Sequence, residues 1–372
     1  MLAFVIEQPG DKVGKVVQVD KPKLDGPGFC LIRVLRAGVC NTDLELLQGY
    51  MGFSGILGHE FVGVVEEVHD ERHTAWIGKR VCGDINVSCD ACQVCHNTTR
   101  RNDRCSQFSR NHCPNRSVLG ILQRNGTMAE YLTLPVRNLH IVPDHLSNET
   151  AVFAEPLAAA CRIAEQDLIS YDEPHHVDRV AILGDGKLGL LIAEVLGRQH
   201  MARLGSAAAL YPAPVLFGKH AHKLELISGS GVETRMVEEC YKDGNSHTAQ
   251  FDVVVDATGS PAGLSLAAKL CRPMGTIVLK STCAAATLDG QAFNTAPFVI
   301  DELKVVGSRC GPIERALELL AAKDATDSVP LHMNKYVTKT FPLAQADEAI
   351  RCAAEKSTMK VQIICSEESS SG

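Results

Sequence analysis

The sequence predicts an α/β protein in two parts, a β-rich part and a doubly wound parallel sheet with helices on both faces. Up to about residue 150 the apolar runs are short, β-branched and broken by Gly and Pro, as at residues 30–36 and 63–68. Over residues 151–299 apolar strands alternate with Ala-rich helical stretches, which is typical of parallel sheets. Beyond residue 300 the sequence predicts one helix over residues 312–322 and a last strand near residues 360–364.

Length and composition indicate an ordinary globular protein of two domains. The 372 residues exceed the length at which one hydrophobic core usually keeps growing. A net charge of -7 and a pI near 6.1 offer no basic face for nucleic acid. No run approaches the roughly 20 apolar residues of a membrane helix. Residues 1–7 lack a basic region and a long apolar run, so we expect no signal peptide. We therefore expect a cytoplasmic protein whose cysteines stay reduced.

A cluster of five cysteines predicts a zinc site. They are Cys89, Cys92, Cys95, Cys105 and Cys113, the first three at three-residue intervals. Thiolates spaced in this way converge on one tetrahedral ion across a tight turn, and zinc is the usual occupant. Four thiolates close the coordination shell, so we expect this zinc to hold a lobe together and to touch no substrate. Disulfides are the alternative, and they require an oxidising compartment.

A glycine-rich turn between a predicted strand and a predicted helix indicates a dinucleotide site. The apolar strand at residues 180–183 is followed by Gly184, Gly186 and Gly189 and then by a helical run. Glycines at these places permit a tight turn and allow a pyrophosphate to approach the helix N-terminus. The sequence therefore predicts a Rossmann domain that binds NAD or NADP.

The end of the next strand bears on the choice between these two cofactors. NAD-specific sites usually hold a carboxylate there, for the ribose hydroxyls. Here the strand at residues 215–217 is followed by Gly218, Lys219 and His220, with no acid. Lys219 is a candidate partner for a 2′-phosphate, which favours NADP over NAD. The long connection at residues 201–214 leaves the register open, and an exposed lysine is more often only solvated.

Three residues upstream of the glycine-rich turn are candidate ligands of a catalytic zinc ion. They are Cys40, His59 and Glu155, each in a different segment. A ligand set of Cys, His and carboxylate leaves the fourth position of a tetrahedral zinc open to water or substrate. Buried thiols and core histidines are common, so each residue alone indicates little. Together with a four-thiolate cluster and a dinucleotide motif they indicate catalysis.

These motifs resemble those of the zinc-dependent medium-chain dehydrogenase/reductase family, which includes the alcohol, sorbitol and threonine dehydrogenases. The resemblance covers nearly the whole chain. Cys40 with Thr42 resembles the first catalytic-zinc motif, Gly58-His59-Glu60 the second, and Glu155-Pro156 the third motif of the polyol dehydrogenases. It implies a GroES-like catalytic domain made of residues 1–150 and 300–372, which pack together around an inserted Rossmann domain of residues 151–299.

The resemblance also implies a mechanism. Zinc bound by Cys40, His59 and Glu155 would take the alcohol oxygen at its open position and lower the pKa of the hydroxyl, and hydride would pass to NAD(P). The Thr42 hydroxyl resembles the first group of the family's proton relay, and Glu60 either lies behind the ligands or exchanges into the zinc sphere.

Two further roles follow from the resemblance. Asp43 would orient the His59 imidazole. Thr258, in Asp256-Ala-Thr-Gly-Ser260, lies in a segment that resembles the loop near the nicotinamide ribose, although an ordinary turn at a strand end is the alternative.

The fourth ligand of the four-thiolate site is a choice between two cysteines. In the family it usually follows the third ligand by eight positions, and here that place is Asp103. Cys113 lies in a segment that resembles the usual context of the fourth ligand. We therefore predict Cys113 in preference to Cys105 and interpret residues 100–111 as part of an insertion.

The predicted function is a zinc-dependent alcohol dehydrogenase with two zinc ions per subunit and NADP or NAD as cofactor. The substrate is a small alcohol or its carbonyl product, and the glutamate ligand favours polyols or sugars. Two alternatives are a zinc-independent reductase of the same fold and a non-catalytic protein that binds zinc and nucleotide. The resemblance implies a homodimer or homotetramer, and we expect neither nucleic acid nor membrane as a partner.

Overall fold

The computed structural model describes residues 1–97, 110–172, 175–241, 248–282, 294–322 and 331–367. The chain divides into two compact units. The first comprises Met1–Glu155, Ile313–Ala321 and His332–Gly372, and the second comprises Pro156–Pro312 and Ala322–Leu331.

The described residues form the following strands and α-helices. The strands are β1 (Leu2–Ile6), β2 (Lys15–Gln18), β3 (Phe29–Val39), β4 (Gly55–Ile56), β5 (Glu60–Val68), β6 (Arg80–Gly83), β7 (Asn86–Val87), β8 (Ser117–Leu119), β9 (Gln123–Arg124), β10 (Tyr131–Pro135), β11 (Leu139–Ile141), β12 (Tyr171–Asp172), β13 (His176–Val177), β14 (Val180–Leu183), β15 (Val215–Gly218), β16 (Glu233–Met236), β17 (Phe251–Asp256), β18 (Cys271–Leu279), β19 (Lys304–Gly307), β20 (Val337–Pro342) and β21 (Lys360–Ile364). The helices are α1 (Asn41–Leu47), α2 (Gln93–Asn97), α3 (Asn148–Ala151), α4 (Ala154–Glu165), α5 (Lys187–Leu204), α6 (Ala221–Leu224), α7 (Pro261–Leu270), α8 (Ala296–Ile300), α9 (Ile313–Ala321) and α10 (Ala346–Ala353).

The first unit is built around a seven-stranded sheet in the order β11-β6-β5-β3-β21-β20, with β10 also paired to β3. Strand β3 is central because it pairs antiparallel with β5, β10 and β21. Its apolar residues, including Ile32, Val34 and Val39, are fully buried. The pairing with β21 joins the end of the chain to a strand formed more than 300 residues earlier, with Val361 opposite Val39.

The second unit contains a six-stranded parallel sheet in the order β16-β15-β14-β17-β18-β19. Its inner strands β14, β15 and β17 are buried on both faces, and Val254, Leu270 and Ile277 form part of its core. This strand order is that of a Rossmann sheet, with the reversal of order between β14 and β17. The predicted α/β class with a doubly wound parallel sheet is therefore confirmed.

Most of the predicted elements are present with small shifts at their ends. The predicted helix at residues 312–322 is α9, and the predicted last strand is β21. The long connection at residues 201–214 is shorter than it looks in the sequence, because α5 continues to Leu204 and a 3₁₀ turn covers Gly205–Leu210. Within the described ranges, no helix is both long and apolar enough to cross a membrane.

Within the first unit, one charged contact joins helix α9 to strand β11. His140 of β11 lies 3.1 Å from Asp84 through Nε2 and 3.1 Å from Glu314 of α9 through Nδ1. Burial lowers the pKa of His140, but its hydrogen bonds to Asp84 and Glu314 raise it more, to about 9. The protonated imidazole thus bridges two carboxylates.

We predict that this bridge makes stability depend on pH between the ordinary histidine pKa of about 6.5 and the folded pKa of about 9. Because the folded pKa is raised, the contribution is complete below the lower value and is lost as pH rises through the higher one. Replacing His140 with Gln should cost about 1–2 kcal/mol at pH 6 and much less at pH 9.5, after allowance for the exposed carboxylates. Urea unfolding of both proteins at the two pH values measures this, and an equal cost at both would contradict it.

Candidate zinc centres and nucleotide-binding loop

Four cysteine sulfurs converge in the lobe that follows β7. Cys89, Cys92, Cys95 and Cys113 each place Sγ within 4.8 Å of the other three. The separations are 3.4 Å for Cys89 and Cys113, 3.5 Å for Cys92 and Cys95, and 3.7 Å for Cys92 and Cys113. Zn–S bonds of about 2.3 Å in a tetrahedron place the sulfurs about 3.8 Å apart. The four thiols therefore fit a zinc ion.

The chemistry of this cluster also suits a cation. The backbone N–H of Ala91 and the neighbouring Cys113 lower the pKa of Cys89 to about 6, which favours its thiolate. The cysteines among the described residues form no disulfide. Cys105, the alternative fourth ligand, lies outside the described residues.

A second cluster lies where β3, α1 and β5 meet. One ligand atom each from Cys40, His59 and Glu60 lies within 4.8 Å of the others. Cys40 connects the end of β3 to the start of α1, and His59 immediately precedes β5. Gly58 has φ of +94°, a conformation that favours glycine, and it turns the chain so that His59 enters the site. Glu155, the predicted third ligand, is not part of this cluster.

Asp43 lies behind the imidazole of His59. Its Oδ2 accepts a hydrogen bond of 2.8 Å from the backbone N–H of Cys40, and its Oδ1 lies 3.4 Å from His59 Nδ1. Both side chains are buried. Because Nδ1 faces a carboxylate, Nε2 remains for a metal ion. Burial lowers the pKa of His59, but the charges of Asp43 and Cys40 raise it well above its usual value, so the pocket stabilises positive charge.

The hydroxyl of Thr42 is next to the same cluster. Its Oγ1 lies 3.8 Å from Cys40 Sγ, in the first turn of α1. The side chain is only partly buried. Thr42 thus lies beside Cys40, a candidate zinc ligand.

A residue that sequence reasoning missed neutralises Glu60. Lys360, the first residue of β21, donates to Glu60 Oε1 at 2.8 Å and Oε2 at 2.6 Å, and also to the carbonyl of Val39 at 3.4 Å. Both side chains are almost fully buried. Gly38 makes room for this pair, since a Cβ there would overlap the Glu60 carboxylate. The only signal in the sequence is a lysine at the start of an apolar strand.

Glu155 lies close to these charges without a partner of its own. No hydrogen bond or ion pair joins its carboxylate to another described residue. Burial raises the pKa of Glu155 to about 7, and the charge of His59 opposes that rise while that of Glu60 adds to it. A carboxylate left in this state is one that a divalent cation would stabilise.

The glycine-rich turn joins β14 to α5 in the form that a dinucleotide site requires. A Cβ at Gly189 would overlap the carbonyl oxygen of Gly184, so the helix packs closely on the turn. Gly186 is the N-cap of α5, and a Cβ there would meet nothing within 4 Å. The open space above this helix N-terminus suits a pyrophosphate. The residues present therefore fit NAD(P).

The Thr258 loop and Lys219 border the same edge of the sheet. Thr258 donates from Oγ1 to Asp256 Oδ1 at 2.7 Å, in a turn at the end of β17 whose backbone lies beside Gly184. Lys219 follows β15, and its side chain is exposed. Thr258 thus lies next to the glycine-rich turn, whereas the Lys219 ammonium makes no ion pair with a described residue.

The choice of Cys113 over Cys105 leads to a prediction about metal content. Wild-type protein should contain about two zinc ions per chain, and Cys113→Ser should contain about one, with a lower unfolding temperature. Cys105→Ser is the matched control and should keep about two. Metal analysis by mass spectrometry after dialysis measures the content, and a lower content in the Cys105 variant alone would show that Cys105 is the fourth ligand.

Comparison with known proteins identifies related sequences. Residues 26–144 match the family model of the alcohol dehydrogenase GroES-like domain, as predicted for the β-rich part. The D-arabitol-phosphate dehydrogenase of Enterococcus avium is 28% identical over 90% of this chain and 89% of its own length. The erythritol/L-threitol dehydrogenase of Mycolicibacterium smegmatis is 29% identical over 98% of this chain and 97% of its own.

A solved structure is similar to this protein over almost the entire chain. A zinc-binding dehydrogenase of Sinorhizobium meliloti, bound to NADP, superposes with a TM-score of 0.76 at 26% identity and covers 98% of each chain. The fold, the glycine-rich turn and the convergence of Cys89, Cys92, Cys95 and Cys113 agree with the sequence motifs, whereas the second cluster contains Glu60 in place of the predicted Glu155. These comparisons support the predicted resemblance to the zinc-dependent medium-chain dehydrogenase/reductase family and a function as an oxidoreductase that transfers hydride between an alcohol and NAD(P).

Proposed function

We propose that this enzyme oxidises a secondary hydroxyl of a polyol at a zinc ion held by Cys40, His59 and Glu155. The observation that carries the proposal is the meeting of the Cys40 thiol and the His59 imidazole close to the Glu155 carboxylate, which accepts no hydrogen bond from a described residue. A set of Cys, His and carboxylate leaves one position for the substrate oxygen.

The balance of charge supports Glu155 over Glu60 as the third ligand. Both oxygens of Glu60 accept hydrogen bonds from Lys360, so its negative charge is already compensated. Glu155 has no such partner among the described residues. A ligand drawn from Glu60 would weaken its buried pair with Lys360, and breaking such a buried pair costs about 3–5 kcal/mol. Glu60 then serves to hold Lys360 and the end of β21 beside the site.

The remaining chemistry divides between the bound groups and the chain. When bound, zinc lowers the pKa of the substrate hydroxyl and NAD(P) accepts the hydride released by oxidation. Asp43 keeps the His59 ring oriented so that Nε2 faces the metal position. Thr42 Oγ1 accepts the hydroxyl proton and passes it towards solvent, since this side chain is partly exposed.

The substrate class follows from the relatives and the ligand type. The two curated relatives described above are named for arabitol phosphate and for erythritol and threitol, all polyols or their phosphates. Both match at least 90% of this chain. We therefore propose a polyol, and not a simple primary alcohol, as the substrate.

An activity screen tests the proposal. Zinc-loaded enzyme should oxidise erythritol, threitol, arabitol or arabitol phosphate with kcat/KM at least about tenfold above that for ethanol or 2-propanol, with NAD and NADP both supplied. Reduction of the nicotinamide at 340 nm is the readout. A higher kcat/KM for a simple alcohol would exclude the polyol assignment.

Ligand variants separate the roles of the two glutamates. Glu155→Gln should lose activity and about one zinc ion per chain while keeping its fold, because only the third ligand is removed. Glu60→Gln should keep its zinc and lose stability, because Lys360 is left without a full counter-charge. Zinc lost from the Glu60 variant and retained in the Glu155 variant would reverse the assignment.

The enzyme is proposed to be a cytoplasmic homodimer or homotetramer. Strand β19 is an open edge of the six-stranded sheet, and Val299, Ile300 and Val305 near it are 73%, 77% and 46% exposed. Apolar residues along an open strand edge favour pairing with a second copy. The lack of disulfides among the described cysteines is what a reducing compartment would give.

Light scattering of the purified protein tests the assembly. Wild type should have about twice or four times the mass of one chain, and Val305→Asp should shift towards the monomer. Val13→Asp is the matched control, because Val13 is 67% exposed in the first unit. A monomeric wild type, or an equal effect of both substitutions, would contradict pairing along β19.

A further inference from the structure

The end of β15 lacks the acid that NAD-specific sites usually have, yet a carboxylate is present there. Asp185, between Gly184 and Gly186, extends from the end of β14 to the end of the neighbouring β15. Its Oδ2 accepts hydrogen bonds from the backbone N–H of Lys219 at 2.8 Å and of His220 at 2.7 Å. The ring Nδ1 of His220 lies 3.0 Å from the same oxygen.

The glycine at the end of β15 makes this arrangement possible. A Cβ at Gly218 would lie 2.8 Å from Asp185 Cβ and 2.9 Å from its Oδ2, and 2.7 Å from Leu224 Cδ2. At these separations a side chain at position 218 would require Asp185 or Leu224 to move. Asp185 thus takes the space that an acid at the strand end would otherwise use.

The Asp185 carboxylate is charged and has one oxygen to spare. Burial raises its pKa, but the N–H groups of His220 and Lys219 lower it more, so the group is ionised at neutral pH. The three donors all meet Oδ2, and no described residue donates to Oδ1. In a Rossmann sheet, an anionic acceptor at the place where β15 ends here binds the ribose hydroxyls of NAD and repels the 2′-phosphate of NADP.

We infer that Asp185 selects the cofactor of this enzyme and favours NAD over NADP, in place of an acid at the end of β15. This reverses the preference predicted from Lys219. That lysine is exposed and makes no ion pair with a described residue, so its charge is largely screened by water. Asp185 is buried and held by three donors, so its charge is fixed in position.

Direct binding measurements test the inference without any substrate. The intact enzyme is titrated with NADH and NADPH and followed by nicotinamide fluorescence. Kd for NADH should be at least about tenfold lower than Kd for NADPH. ADP-ribose should likewise compete better than its 2′-phosphate, which confines the effect to the adenosine ribose. Tighter binding of NADPH than of NADH by the wild-type enzyme overturns the inference. This measurement requires no variant.

Variants assign the preference to a residue. Asp185→Asn keeps an oxygen for the N–H groups of Lys219 and His220 but loses the charge, so the ratio of the two Kd values should shift at least about tenfold towards NADPH. Lys219→Ala should change either Kd by less than about twofold. An unchanged ratio in the Asp185 variant, or weaker NADPH binding in the Lys219 variant alone, overturns the assignment.

The inference rests on the NAD(P) site of the second unit and not on the proposed polyol substrate. Failure of the polyol screen leaves these titrations interpretable, and failure of the titrations leaves the screen interpretable. Unfolding temperatures of both variants exclude a general loss of structure.

Discussion

The antiparallel pairing of β3 with β5 and β21 is the constraint on which the candidate catalytic site depends. Cys40 follows β3, His59 precedes β5, and Lys360 begins β21. At Gly38 the register places Glu60 on one side and Gln362 on the other. A slip of one residue in either pairing would turn these side chains to the opposite face of the sheet. The site therefore exists only when three distant segments pair in one register.

Charge compensation then decides what each acidic group in the site can do. Lys360 neutralises Glu60 within a buried pair, and Asp43 is occupied by the N–H of Cys40 and the ring of His59. Glu155 is left with raised pKa and no partner among the described residues. The structural, orienting and metal-binding roles that we propose for these three carboxylates therefore rest on their different neighbours and not on their residue type.

In the second unit, too, the position of an acidic group depends on contacts between segments. The end of β15 carries no acid in the sequence, but Asp185 from the adjacent turn fills that place through space. Parallel neighbouring strands bring their carboxyl ends to one edge of the sheet, so a residue of the first turn reaches the end of the next strand. The absence of a side chain at Gly218 is as important as the acid itself.

The fold class and the local motifs of this protein could be predicted from the sequence alone. The alternation of strands and helices predicted the α/β class, and spacing predicted the Cys89-Cys92-Cys95 cluster and the turn at Gly184, because these depend on residues close together in the chain. The contacts of Lys360, Asp185 and Glu60, from which we argue their proposed roles, were decided only by the tertiary structure. Each depends on a contact between distant segments or on a counter-charge, and local spacing carries no information about which charges meet in a buried site.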